Sequence, residues 1–165
     1  MVLSLAVIAA IAVGIVLLVP RPNGVAPVEV DVVSVAAGAR AELGFSPAAP
    51  TDLPPGWRVT SAGIRHSIDG VTTWHVGYLT PSGGNASIEQ AVRPSAQWEI
   101  ILDSGGLDRP AVTVDGRSWE QRFKDVRHVT ALIRRGATHV TMVTSKNGGL
   151  DEAVILAHGV PASSL

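Results

Sequence analysis

The chain has 165 residues, with 13 Lys and Arg against 14 Asp and Glu, and it contains no cysteine. A formal net charge of −1 lacks the basic excess of a dedicated nucleic-acid binder, so no nucleic-acid partner is expected. The absence of cysteine excludes disulfides, thiolate nucleophiles and thiolate metal sites.

Residues 1–19 form an apolar run without a single charge. As a helix rising about 1.5 Å per residue, they would span about 28 Å, close to the roughly 30 Å hydrocarbon core of a bilayer. A cleaved signal peptide would need a basic start and a small-residue cleavage site, and Pro20, Pro22 and Pro27 crowd that position. A buried core helix would rarely be this long without a charge. The run therefore predicts an uncleaved, single-pass membrane anchor.

The orientation of the predicted anchor depends on the charges at its ends. Arg21 is the nearby basic residue, and alone it favours a cytoplasmic C-terminal side. A chain that begins directly on its apolar segment is instead typical of one whose basic tail lies upstream. We expect the N-terminus inside and the domain outside the cell membrane. The membrane bilayer is then an expected partner, together with an envelope protein or an anionic envelope polymer.

The chain divides into four segments by composition. Three prolines and a glycine rule out regular structure directly after the apolar run. The part that follows is long enough for one domain with its own core. The segments are the transmembrane anchor, 1–19; a proline-rich linker, 20–27; an extracytoplasmic α+β domain, 28–161; and a tail, 162–165.

The first part of the domain predicts either a strand or a helix. Residues 28–35 alternate well enough for a strand, whereas Val33 to Leu43 could equally form a short helix broken at Gly38. Prolines then predict an ordered loop or an edge segment over residues 45–56, because each proline removes a backbone donor.

The remaining domain predicts three strands, a helix, four strands and a second helix. In the clearest strand, Trp74, Val76 and Tyr78 share one face and His75 lies on the other. Short glycine-rich turns predict antiparallel pairing. The predicted strands are 57–65, 72–80, 86–92, 111–114, 118–124, 126–134 and 137–145, with helices at 94–104 and 150–158 and a turn at 68–70.

These elements predict an α+β fold, a twisted antiparallel sheet of about seven strands with two covering helices. In the first helix, Trp98, Ile101 and Leu102 have the spacing of one buried stripe. The four tryptophans are expected mainly as core residues.

Three tryptophan-centred motifs occur in order and carry a resemblance to a known family. They are Leu53-Pro54-Pro55-Gly56-Trp57; Thr73-Trp74-His75-Val76-Gly77-Tyr78 with Thr80-Pro81; and Asp115-Gly116-Arg117-Ser118-Trp119. Over nearly its whole length the chain resembles an actinobacterial family of single-pass membrane-anchored proteins of unknown function (domain of unknown function 4245). This resemblance implies a location and a fold unit but no activity. A second likeness, through Gly44-Phe45-Ser46 and the proline-rich segment up to Trp57, is to PsbP/Mog1-like α+β domains, as a fold analogy.

Histidine supplies the nearest candidates for a chemical site. His75, His128 and His139 lie opposite the main core residues of their predicted strands, so neighbouring strands would bring three imidazoles onto one face. Three histidines can hold a catalytic zinc ion. Their spacing matches no metal-binding motif, however, and structural histidines on a wet sheet face are the simpler interpretation. No metal or other cofactor is expected.

Other catalytic chemistry has no motif in the sequence. There is no Gly-x-Ser-x-Gly elbow, and Ser82, Ser104 and Ser145 are assigned to glycine-containing turns. The Gly-Gly pairs lack the spacing of a phosphate-binding loop. The sequence predicts no catalytic residue and favours a protein that is not an enzyme.

A basic cluster lies between residues 117 and 135. A solvated sheet face is its simplest interpretation, and binding of phospholipid headgroups or an acidic envelope polymer is the functional one. Its members are Arg117, Arg122, Lys124, Arg127, Arg134 and Arg135.

Three functions remain compatible with the sequence. The first is a membrane-tethered extracytoplasmic domain that binds an envelope component or a membrane protein without catalysis. The second is a metal-dependent enzyme that uses the histidine cluster. The third is a carrier or chaperone for an apolar ligand held between sheet and helix, which requires a pocket of roughly 300 Å³ or more.

Overall fold

The computed structural model of the chain describes residues 30–67 and 70–164. The anchor and linker predicted over 1–19 and 20–27 lie outside these residues, as do two residues of the turn predicted at 68–70. The described part contains seven strands and three α-helices, which confirms the α+β class. The helices are α1 (Val32–Leu43), α2 (Ala96–Leu102) and α3 (Gly149–His158). The strands are β1 (Arg58–His66), β2 (Thr72–Leu79), β3 (Asn85–Ala91), β4 (Leu107–Val114), β5 (Arg117–Lys124), β6 (Val129–Arg135) and β7 (Val140–Lys146).

All seven strands pair antiparallel in one sheet, in the order β1-β2-β3-β7-β6-β5-β4. Strands β1 to β3 form one meander and β4 to β7 a second. The two meanders join where β3 pairs with β7, from Asn85 opposite Lys146 to Ala91 opposite Val140. The connection through α2 therefore carries the chain from the centre of the sheet to its far edge.

Helix α1 confirms the helix alternative predicted over Val33 to Leu43 rather than the strand alternative. The Asp31 carboxylate accepts hydrogen bonds from the Ser34 N–H at 3.1 Å and the Ser34 hydroxyl at 2.5 Å, and so caps the first turn. The helix passes through Gly38 without a break and ends at Gly44, whose φ of 73° is a left-handed conformation that glycine adopts readily. The Asp31 cap and the burial of side chains at helical spacing favour the helix more than the alternating valines favour a strand. The buried residues are Val32, Ala36, Ala39 and Leu43.

Residues 45–56, called the proline loop below, form an ordered connection without helix or strand, as predicted. Gly56 ends the loop with a φ of 95°. A side-chain carbon at this position would lie 3.1 Å from the ring of Pro81. Both the backbone and the close approach therefore require glycine, and the loop packs on the turn between β2 and β3.

The helices cover both faces of the sheet. Helices α1 and α3 pack on one face, where Trp74, Val76 and Tyr78 of β2 belong to the larger core. Helix α2 lies on the other face, where Trp98 packs in a smaller core with Met142. We call these the α1 face and the α2 face. Polar residues near the centre of either face must find partners within the protein.

Helix α2 buries part of the stripe predicted for it. Trp98 is buried and Leu102 packs partly buried against the smaller core, whereas Ile101 is 51% exposed. Glu99, which lies outside the predicted stripe, is buried in this seven-residue helix. Arg122 and Arg135 lie within 3.2 and 2.5 Å of the Glu99 carboxylate, and this ion pairing turns an acidic residue inward.

Gln90, in the middle of β3, ties the proline loop and the C-terminal segment to the sheet. Its side chain is fully buried, and Oε1 accepts a hydrogen bond from the Ala48 N–H at 2.7 Å. Its Nε2 donates to the Ser164 carbonyl at 2.6 Å and to the Thr141 hydroxyl at 2.9 Å. The segment predicted as a tail, 162–165, therefore packs on the sheet as far as Ser164.

We predict that Gln90→Leu lowers the free energy of unfolding by about 2–4 kcal/mol, because it leaves the buried Ala48 N–H without a partner and removes one donor from the Ser164 carbonyl. Urea denaturation of the full chain measures this loss. The matched control is Gln97→Leu on the exposed side of α2, which should change the value by less than about 0.5 kcal/mol. Equal stability of the two variants would contradict the role assigned to Gln90.

Candidate functional site

The three histidines predicted to share one face lie in three different places. His75 sits in the middle of β2 on the α2 face. His139 is buried just before β7 and stacks on Phe45 at the α1 side, with 4.1 Å between ring centroids. His128 is exposed in the turn before β6. Within the part of the chain that the structure describes, no group of three or more His, Asp or Glu side chains is arranged to hold a metal ion.

His75 is held between two polar side chains from neighbouring strands. Its Nδ1 lies 2.5 Å from Oε1 of Glu89, and its Nε2 lies 3.0 Å from Oγ of Ser61. His75 and Glu89 are directly opposite in the β2–β3 register and are 7% and 5% exposed. Sequence reasoning missed both partners, because strand register rather than a local motif brings them together.

His139 connects parts of the fold as a neutral ring. A carbonyl can only accept, so Nε2 donates to the Ser164 carbonyl at 2.9 Å, and Nδ1 accepts from the Thr138 hydroxyl at 2.8 Å. Burial lowers the pKa of His139 below its usual value of about 6.5, and the Ser164 carbonyl opposes this effect only partly. This imidazole is therefore a structural group in the folded protein.

Two members of the predicted basic cluster are neutralised on the α2 face. Arg122 contacts the carboxylates of Glu99, Asp103 and Asp108 at 3.2, 3.0 and 3.3 Å. Arg135 contacts Glu99 at 2.5 Å. The hydrogen bond from Arg135 holds the pKa of Glu99 below its ordinary value, against the opposite effect of burial. These two arginines bind α2 to the sheet.

The other members of the cluster do not share one surface. By strand alternation Arg117 and Arg134 belong to the α1 side of the sheet, and Lys124 lies on the α2 face, where its Nζ is 3.5 Å from the Gly105 carbonyl. Arg127 lies in a short 3₁₀ turn after β5. The described residues therefore present no continuous basic face made of these six side chains.

A groove of about 680 Å³ lies on the α1 face. It lies between the first turn of α1, the proline loop and the ends of β1 and β2. Its walls are mostly aliphatic and aromatic, whereas Asp31 and Arg58 supply one charge of each sign. The hydrogen bonds from Ser34 lower the pKa of Asp31, so this carboxylate is ionised at neutral pH. The lining residues are Val30, Asp31, Val32, Pro50, Thr51, Leu53, Trp57, Arg58, Val59 and Tyr78.

Buried polar side chains of the sheet hold the wall of the groove in place. The Tyr78 hydroxyl donates to the Pro50 carbonyl at 3.2 Å, and the Trp74 indole N–H donates to the Ala48 carbonyl at 2.7 Å. Trp57 stands edge-on to Tyr78, with 6.1 Å between ring centroids and 72° between planes. The proline loop is thereby pinned at a distance from β2 that leaves the groove open.

Comparison with known proteins places the chain in one family. The family model described as "Protein of unknown function (DUF4245)" matches residues 1–160. The chain belongs to this family. The resemblance drawn from the tryptophan-centred motifs is therefore confirmed at the level of the family, and it brings no activity with it.

Two further comparisons gave no match, either to a curated protein or to a solved structure. The analogy to PsbP/Mog1-like domains accordingly stays a prediction. Within residues 30–67 and 70–164, no helix is both long and apolar enough to cross a membrane.

We predict that stability declines as the pH falls below about 6.5, in part because unfolded His139 binds a proton that the buried ring resists. The contribution is fully present above that pH and is lost on acidification. Urea midpoints at pH 7.5 and 5.5 measure the decline. His139→Gln, which retains a donor but does not titrate, should show a smaller decline, whereas exposed His128→Gln should match the wild type. An unchanged decline in His139→Gln would contradict the assignment.

Proposed function

We propose that this chain is a membrane-tethered, extracytoplasmic domain that binds an acyl chain of an envelope lipid in the groove of the α1 face. The observation that carries the proposal is the groove itself. Its volume of about 680 Å³ lies within the roughly 300–1,000 Å³ typical of small-molecule sites. The groove also lies between sheet and helix, where the carrier hypothesis requires a pocket.

The chemistry of the walls suits an apolar chain with a polar end. Leu53, Trp57 and Val59 offer aliphatic and aromatic surface, and each methylene group removed from water contributes about 0.8 kcal/mol. Asp31 and Arg58 provide a carboxylate and a guanidinium that can meet a zwitterionic or hydroxylated headgroup. A water-soluble ionic ligand would find few partners in such walls.

The position of the groove favours a lipid over a water-borne ligand. Its lining includes Val30 and Asp31, the first residues that the structure describes. Residues 20–29 separate them from the apolar run, and ten residues reach at most about 35 Å when fully extended. With residues 1–19 inserted as an anchor, the groove would stay within that distance of the bilayer surface.

We predict that the full chain, reconstituted in phosphatidylcholine vesicles that contain a phospholipid with a photoactivatable acyl chain, becomes crosslinked at the proline loop or β1. Thr51→Trp should lower the yield there about tenfold, because the indole fills the groove at an exposed loop position. Mass spectrometry of the crosslinked peptides gives the position and the yield.

The matched control is Thr113→Trp, which adds the same side chain at an exposed position of the edge strand β4, away from the groove. This variant should be crosslinked like the wild type. Crosslinks confined to residues 1–19, or a yield at the groove that Thr51→Trp leaves unchanged, would contradict lipid binding in the groove.

The proposed orientation of the domain relative to the membrane gives a separate prediction. Protease added to intact cells should degrade the domain, because we place it outside the membrane. Digestion after permeabilisation is the control, since it shows that the domain is cleavable in either orientation. A domain that is degraded only after permeabilisation lies in the cytoplasm and contradicts the proposed topology.

A further inference from the structure

We propose that Ser61 is the nucleophile of a Ser61–His75–Glu89 site that hydrolyses carboxylic esters on the α2 face of the sheet. The site crosses three neighbouring strands, with one residue from each of β1, β2 and β3. It lies on the face opposite to the groove and does not depend on lipid binding there.

The hydrogen bonds assign a role to each side chain. An ionised Glu89 can only accept, so it fixes the proton of His75 on Nδ1, 2.5 Å away. The lone pair of Nε2 is then free to accept the Ser61 hydroxyl proton over 3.0 Å. Nucleophile, base and orienting carboxylate stand in the order that activates serine in hydrolases of unrelated folds.

The exposure of the three side chains increases from Glu89 to His75 to Ser61. Glu89 and His75 are 5% and 7% exposed, which keeps water from competing for the orienting hydrogen bond. Ser61 is half-buried on an edge strand, and the neighbouring Thr60 is exposed. The nucleophile is therefore the member of the relay that an incoming substrate can reach.

Gly77 allows Ser61 and His75 to approach each other closely over the backbone of β2. It lies opposite Ser61 in the register, and a side-chain carbon there would be 2.7 Å from Ser61 Oγ and 3.1 Å from His75 Nε2. The backbone does not require glycine at this position, because Gly77 is not among the residues with positive φ. The close approach of the two reacting groups is the feature that excludes a side chain.

A β-bulge in β1 lies next to Ser61. The register shifts between Val59 and Ser61, which makes Thr60 the extra residue, and bulges commonly re-aim side chains beside active sites. The Thr60 hydroxyl lies 3.1 Å from the point that a Gly77 side-chain carbon would occupy. It is therefore close enough to donate to an oxygen that becomes negative beside Ser61.

The proposed reaction converts an ester and water into a carboxylic acid and an alcohol. Ser61 Oγ bonds to the carbonyl carbon as its proton passes to His75 Nε2, and Glu89 stabilises the imidazolium. The bond to the alcohol oxygen breaks, and that oxygen takes the proton from Nε2. Water then attacks the acyl-Ser61, its proton passes to Nε2 and on to Ser61 Oγ, and the acid leaves.

Labelling of the full chain with an alkyl fluorophosphonate tests the site without a known substrate. We expect one adduct on Ser61 with release of fluoride, located by mass spectrometry, and none in Ser61→Ala. His75→Gln should lower the labelling rate by about 100- to 10,000-fold, because it removes the base. Gly77→Ala should block labelling, because its methyl carbon would collide with Ser61 Oγ and push it away from His75.

Ser87→Ala is the matched control, since Ser87 lies on the same face but is bonded to Thr144 at 2.9 Å and not to a histidine. It should be labelled at Ser61 like the wild type. Near-ultraviolet circular dichroism shows which variants retain the fold. No adduct on folded wild-type protein, an adduct elsewhere, or an equal rate in folded His75→Gln would each overturn the proposal.

Discussion

The antiparallel pairing of β3 with β7 is the constraint on which the rest of the fold depends. Each meander forms from strands that are close in the sequence, whereas this pairing joins residues 85–91 to residues 140–146. Closing such a long connection costs chain entropy that only the burial of both central strands can offset. Ile88 and Val143 form a pair between β3 and β7, and both are fully buried. The helices that cover the α1 face and the α2 face pack on the two sides of these central strands.

The central strands of the sheet also explain how the groove stays open. Gln90 on β3 reaches the Ala48 N–H, while Trp74 reaches the Ala48 carbonyl. These hydrogen bonds are buried, so breaking one leaves an unpaired polar group in a dry environment. The centre of the sheet thus holds the proline loop in place. The fold therefore sets the distance between the walls of the groove.

The polar residues of the α1 face and those of the α2 face have different roles. On the α1 face, Gln90 and His139 connect segments, because Gln90 bonds the Ala48 N–H and both side chains lie within hydrogen-bond distance of the Ser164 carbonyl. On the α2 face, Ser61, His75 and Glu89 contact one another through their side chains, above the backbone of Gly77. Side-chain contacts of this kind, rather than contacts to backbone groups, distinguish the relay from the structural network.

The amino-acid sequence by itself determined the α+β class, the strands and their antiparallel pairing, because period-two alternation and glycine-rich turns are local signals. It also determined the family, through motifs centred on Trp57, Trp74 and Trp119. It left α1 open between a strand and a helix, because alternating valines are typical of a strand, and the Asp31 cap stabilises the helix. In α2 the predicted stripe holds for Trp98 and Leu102, whereas Ile101 is exposed and the ion pairs of Glu99 bury an acidic residue instead.

Only the tertiary structure decided which polar residues meet. His75 was visible as a candidate in the sequence, but its partners Ser61 and Glu89 come from two other strands, and a bulge of one residue sets which side chain faces it. A slip of one position in a strand moves every side chain to the other face. The same dependence separated His75 from His139 and divided the basic cluster, because residue type alone carries no information on register.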